Sequence, residues 1–117
     1  MDIKKQVTKM DGIVAQGAIV DAVKQFFAED AVTSDYNESG TSNKQEMIEK
    51  MTGFAGAIAK VNGITHHYSI VDGQVSASEF TFDFDMADGS KIYWHEIIRR
   101  LWNEKGEVIH EEYFNAA

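Results

Sequence analysis

The chain has no cysteine among its 117 residues. That excludes disulfides, thiolate metal sites and cysteine nucleophiles, and it fits a cytoplasmic protein. Basic residues are also scarce. Eleven Lys and Arg against 19 Asp and Glu leave a net charge of -8. Nucleic-acid binding needs clustered cations against phosphate, so no nucleic-acid partner is expected. An anionic membrane surface is disfavoured for the same reason. No apolar run approaches the ~18 residues that would span a bilayer. The opening MDIKKQVTKMDG has no apolar core of a secretory signal. Gly-rich phosphate loops, nucleophile elbows, Walker patterns and HExxH-like spacings are all missing, so neither a cofactor nor a metal is expected.

What is present is the composition of a folded protein, 44% hydrophobic and 11% aromatic. The length suits one domain with one core, spanning residues 1–117. Ile3, Val7 and Met10 begin a helix that continues through Val14 towards Gly17. A second helix carries Ile19, Val23, Phe26 and Phe27 along one side, breaks at Glu29-Asp30, and passes into a short strand that presents Asp35. A helix fixed by its apolar face and feeding a strand is a rigid mount for one carboxylate. In the third helix Ser42 and Gln45 form a capping-box pattern ahead of Met47, Met51, Phe54 and Ile58, and Asn62-Gly63 ends it.

From Ile64 the period changes to two. Segments 64–71, 74–86, 91–102 and 107–115 read as strands, separated by Asp72-Gly73, Asp88-Gly89 and the turn at 103–106. Asp-Gly between alternating segments is a strong hairpin signal, so an antiparallel meander is expected. Helices first and a meander second give an α+β fold, with N-terminal helices packed on one face of a strongly curved antiparallel sheet.

Three stretches then carry a resemblance over nearly the whole chain: GAIVDAVKQFFAEDAV, the capped helix from Ser42, and the ending RRLWNEKGEVIHEEYFN. In this order they resemble the nuclear transport factor 2-like superfamily, in its SnoaL-like and ketosteroid-isomerase-like branch. The resemblance implies a cone-shaped, cystatin-like fold whose pocket, open at one end, takes a small apolar or partly polar ligand. It also implies a homodimer. Laid over the ketosteroid isomerases, Asp35 falls on the general-base aspartate. Their oxyanion-stabilising tyrosine falls near Met10 and their protonated aspartate on Ile98, so steroid isomerisation is not expected. The acid-base pattern of limonene epoxide hydrolases falls on Glu79, Thr81 and Glu112, with an acid where an arginine is needed. A scytalone-dehydratase-like site would draw on His66, His67 or His110.

The same comparison turns Glu79, Thr81 and Asp83 inward on one strand, and Trp94, Glu96, Ile98 and Arg100 inward on the next. Phe80, Phe82 and Phe84 would then form an exposed outer row and a dimer interface, although alternation taken alone puts them in the core. On the last strand a three-residue loop brings His110, Glu112 and Phe114 inward. A two-residue loop brings Glu111 and Tyr113 instead. The resemblance favours the first.

The expected site therefore has Asp35 as general base, Glu112 or Glu96 as proton partner and Arg100 as orienting charge. Trp94, Ile98, Thr81, Asp83, His110 and Phe114 line the pocket. The chemistry implied is proton-transfer isomerisation, cyclisation, dehydration or water addition. The competing reading is a non-catalytic ligand-binding or dimerisation module, with Glu96, Arg100 and Glu112 as a buried ion network that sets strand register. Pocket electrostatics separates the two. A catalytic pocket holds a carboxyl with a raised pKa in a dry cavity, whereas a binding pocket shows its acids paired or solvated.

Overall fold

The computed structural model describes residues 2–36 and 38–116. Two helices open the chain, α1 (Ile3–Ala15) and α2 (Ile19–Phe26), followed by strands β1 (Phe27–Asp35) and β2 (Glu38–Ser39). Helix α3 (Lys44–Gly56) then leads into β3 (Ile58–Asp72), β4 (Val75–Met86), β5 (Lys91–Trp102) and β6 (Val108–Asn115). The strands form one sheet in the order β2-β1-β6-β5-β4-β3. The expected antiparallel meander is there as β3 to β6. The sheet as a whole is mixed, because β1 leaves α2 running parallel to β6.

The helices form where their apolar stripes meet the sheet. Ile3, Val7, Met10 and Val14 on α1, Ala22, Val23 and Phe26 on α2, and Met47 on α3 are buried with Phe80, Phe82, Phe84, Ile98, Trp102 and Val108. The capping box of α3 lies one residue later than the sequence pattern placed it. The Asn43 side chain accepts from the Glu46 amide at 2.9 Å, and the Glu46 carboxylate accepts from the Ser42 amide at 3.0 Å. The helix also ends early. Gly53 and Gly56 weaken its last turn, Ala57 caps it, and Ile58 already pairs with Met86 in β3. Asn62-Gly63 thus falls inside a strand. Three register shifts along β3 absorb the irregular residues and bend the sheet over the helices.

Two turns decide which side chains face the cavity, and both correct the expected inward sets. Between β4 and β5 the loop has three residues, Ala87-Asp88-Gly89, with the Met86 amide bonded to the Ser90 carbonyl at 2.8 Å and Gly89 at φ +89°. A two-residue Asp-Gly loop would pair odd with even positions. The three-residue loop pairs even with even, so Phe80 opposes Glu96 and Phe82 opposes Trp94 on one face. Phe80, Phe82 and Phe84 are therefore buried, and Glu79, Thr81 and Asp83 face outward.

The β5–β6 turn is the expected three-residue one, with Asn103 and Glu107 bonded across it and Gly106 at φ +78°. One pair further on the register slips. Trp102 pairs with Val108, but Leu101 pairs with His110. The bulged Ile109 reverses all that follows, so Glu111 and Tyr113 face inward. His110, Glu112 and Phe114 lie on the outer face.

Candidate functional site

A cavity of about 370 Å³ lies between the three helices and the inner face of the sheet. Its wall is apolar: Met10 and Val14 from α1, Ile19, Ala22 and Val23 from α2, Met47, Met51 and Phe54 from α3, and Phe82, Phe84 and Ile98 from the sheet. Trp94 stands at the opening, 43% exposed. Its ring stacks on Phe54 at 5.4 Å, and Phe54 meets Phe84 edge-on at 5.8 Å. Asp35 and Lys50 also line the opening. Both are about half exposed, and their charged atoms are 4.0 Å apart.

Inward residues alternate down β5 from Trp94 through Glu96 and Ile98 to Arg100, from the opening to the floor. At the floor, Arg100 is buried between two carboxylates. Its Nε donates to Glu111 Oε2 at 2.8 Å and its Nη1 to Asp11 Oδ1 at 2.7 Å. The other Asp11 oxygen accepts from Ser78 at 2.7 Å and Ser69 at 2.6 Å. Tyr113 donates its hydroxyl to Glu111 Oε1 at 2.5 Å. Burial works against the charge on Arg100, but Glu111 and Asp11 outweigh it and hold its pKa above the ordinary value. Burial, reinforced by Glu111, pushes the Tyr113 phenol well above its usual range, so it stays a neutral donor.

Glu96 has a different environment. Its carboxyl lines the cavity, and among the described residues it has neither a hydrogen bond nor an ion pair. Burial raises its pKa, and repulsion from Glu111 and Asp35 adds to the shift, to about 7. A carboxyl that is half ionised near neutrality and free of protein partners can accept or deliver a proton.

Of the expected site residues, the cavity gathers Asp35, Glu96, Trp94, Ile98 and Arg100. The others are elsewhere. Thr81 bonds His67 at 2.6 Å, and Asp83 faces Lys91 at 3.0 Å on the outer sheet surface. His110 and Glu112 share the Ser34 hydroxyl at 3.0 and 3.2 Å, and Phe114 meets Tyr36 edge-on at 5.5 Å. The ion network around Arg100 exists, but its acids are Asp11 and Glu111 in place of Glu96 and Glu112. Asp11 had one signal in the sequence: four residues after Val7, it is an acid on the apolar stripe of α1. Among the described residues no group of three or more His, Asp or Glu is placed to hold a metal ion. None of their helices is long and apolar enough to cross a membrane.

No protein-family model matches the chain. No curated protein matches it either. Solved structures do. A candidate SnoaL-like polyketide cyclase from Mesorhizobium loti is 19% identical with a TM-score of 0.84, over 97% of this chain and 99% of that one. An uncharacterized cystatin-fold protein from Novosphingobium aromaticivorans is 11% identical with a TM-score of 0.82, over 98% and 99%. A hypothetical protein with a ketosteroid-isomerase-like fold from Catenulispora acidiphila, in complex with trimethylamine, is 12% identical with a TM-score of 0.71, over 87% and 78%. The chain therefore has the cone-shaped α+β fold of the SnoaL-like, nuclear-transport-factor-2-like and ketosteroid-isomerase-like proteins. That fold supports a pocket for a small molecule.

Proposed function

We propose that this protein is a small-molecule enzyme working without a cofactor, in which Glu96 moves the proton. The observation that carries the reading is the Glu96 carboxyl lining a largely apolar cavity with no hydrogen bond or ion pair among the described residues. Its pKa of about 7 matches the working range of a general acid or base at neutral pH. The role given to Asp35 in the sequence passes to Glu96. Asp35 is half exposed beside Lys50 and acts here as an entrance charge. Arg100 lines the floor and has no protein partner on Nη2 among the described residues, so that nitrogen is a donor for negative charge developing on a ligand oxygen. The reaction class is a proton-transfer isomerisation, cyclisation, dehydration or water addition. At these identities the neighbours supply the fold and leave the substrate open.

The competing reading, a binding module with no chemistry, draws support from the fully paired state of Asp11 and Glu111. Titrating the side-chain carboxyls by carbon-detected NMR separates the two. A Glu96 midpoint near 7 is expected. A midpoint at the ordinary ~4.3 of glutamate would remove the catalytic reading.

We also infer a homodimer through the outer sheet face, now on different residues. With the phenylalanines inside, the outer face still carries a row across four strands, Tyr68, Glu79, Ile97 and Phe114, flanked by exposed Ile70 and Tyr93. Light scattering at high micromolar concentration should give twice the chain mass. A monomer there refutes it.

A further inference from the structure

We propose that the cavity is built for an organic cation, a protonated amine whose apolar body packs against Phe54, Phe84 and Trp94 while its ammonium group meets Glu96. The inference rests on Glu96 being the functional group of the cavity, and it adds what that group faces.

A charge balance of the lining leads there. Five charged side chains line the cavity: Asp35, Lys50, Glu96, Arg100 and Glu111. Arg100 is one cation held between two carboxylates, Asp11 and Glu111, so these three charges sum to minus one, with the His66 ring 3.5 Å from the Asp11 oxygen that Arg100 does not contact. Lys50 stands at the half-exposed opening and faces Asp35. Among the described residues Glu96 is left without a counter-charge, and Glu111 and Asp35 both repel its ionised form. An unmatched carboxylate in apolar surroundings is costly, and a ligand that brings a positive charge removes the cost. A ligand anion would add a fourth negative group to Glu96, Glu111 and Asp35.

The wall beside Glu96 fits the same class. Trp94 lies two residues away on the same strand and stacks on Phe54, which in turn contacts Phe84. Aromatic faces attract ammonium groups, most strongly where water is excluded. The cavity has the size of known small-ligand sites.

Binding should also be linked to protons. The titratable and charged groups that share the cavity with Glu96 are Glu111 and Tyr113 from β6, Asp35 from β1, Arg100 from β5 and Lys50 from α3, and of these Glu111 and Asp35 act on its charge. Helices α1 and α2 add only apolar side chains to the lining, with Asp11 acting through Arg100. An ammonium beside Glu96 favours the carboxylate, so it expels whatever proton Glu96 carries. Near pH 7 that is up to about half a proton per ligand. A cationic substrate thereby ionises its own base on arrival.

Calorimetric titration with 3-phenylpropylamine, 3-phenylpropan-1-ol and 3-phenylpropanoate tests this, because the three share one body and differ in charge. The amine is expected to bind at least about tenfold more tightly than the alcohol, and the carboxylate more weakly than both. Glu96→Gln should abolish the preference for the amine over the alcohol. In the unmodified protein, titrations in two buffers of different ionisation enthalpy should show proton release on amine binding near pH 7. An alcohol that binds as tightly as the amine overturns the proposal, as does an amine that fails to bind or keeps its preference in Glu96→Gln. The NMR titration stays independent. A Glu96 midpoint near 7 without amine preference rejects the cation and keeps the proton-transfer reading, and an ordinary midpoint with amine preference does the reverse.

Discussion

Replacing Arg100 with methionine is expected to lower folding stability by about 3–5 kcal/mol, a large part of what a domain of this size holds. The side chain is 1% exposed and has carboxylates on two sides. Methionine matches the stem but leaves Asp11 and Glu111 without their cation. Ser69, Ser78 and Tyr113 still donate to those carboxylates, which softens the loss without balancing the charge. Adding Asp11→Asn and Glu111→Gln should recover much of the loss, because the cost lies in the abandoned charges. Urea unfolding at neutral pH measures both variants against the unmodified protein. A loss under about 1 kcal/mol for Arg100→Met would show that the network contributes little to the fold. The outer pair Lys91 and Asp83, 3.0 Å apart but solvated, should change stability little when broken.

The architecture was legible because it depends on long, strongly patterned segments. The stripe of Ile3, Val7, Met10 and Val14, and the alternation from Ile64 onward, survive an error of one or two residues at any boundary. The site does not. Whether Glu111 or Glu112 enters the cavity turns on the single bulged residue Ile109, and backbone geometry of that kind leaves no mark in composition or period. The three-residue turn at 104–106 alone would bring Glu112 inward, and the bulge reverses it. On β4 the local signal was sound, since alternation alone buries Phe80, Phe82 and Phe84. The resemblance overrode it by turning Glu79, Thr81 and Asp83 inward together with Trp94 and Glu96, a pairing that the three-residue loop at 87–89 rules out. On β5, Trp94, Glu96, Ile98 and Arg100 were placed inward correctly. Asp11 was missed for another reason. A lone acid on an apolar stripe gains meaning only when Arg100, 89 positions away, comes within 2.7 Å.

Glu96→Gln is expected to stabilise the protein by about 2 kcal/mol above pH 8 and to change little near pH 4. The folded-state pKa is raised to about 7, whereas an unfolded glutamate titrates near 4.5. Between those values the folded protein binds the extra proton, so the Glu96 contribution to stability is complete below the unfolded pKa. It is lost as pH rises through the folded one. The full shift corresponds to about 3 kcal/mol, and partial exposure of the side chain reduces it. Glutamine keeps the shape and never ionises, so the gap between the two proteins should open across this pH window. The other titrating groups are common to both and cancel in the difference. Urea midpoints from pH 4 to 9 would trace it. A gap independent of pH, or a glutamine variant less stable at pH 8, would show that Glu96 is solvated or paired in solution. A gap of the expected form means that the fold carries an uncompensated carboxylate at neutral pH. That cost has no visible structural return, because among the described residues the Glu96 side chain makes no hydrogen bond or ion pair. The place where it can be recovered is the bound ligand, whether as a proton moved or as a positive charge met.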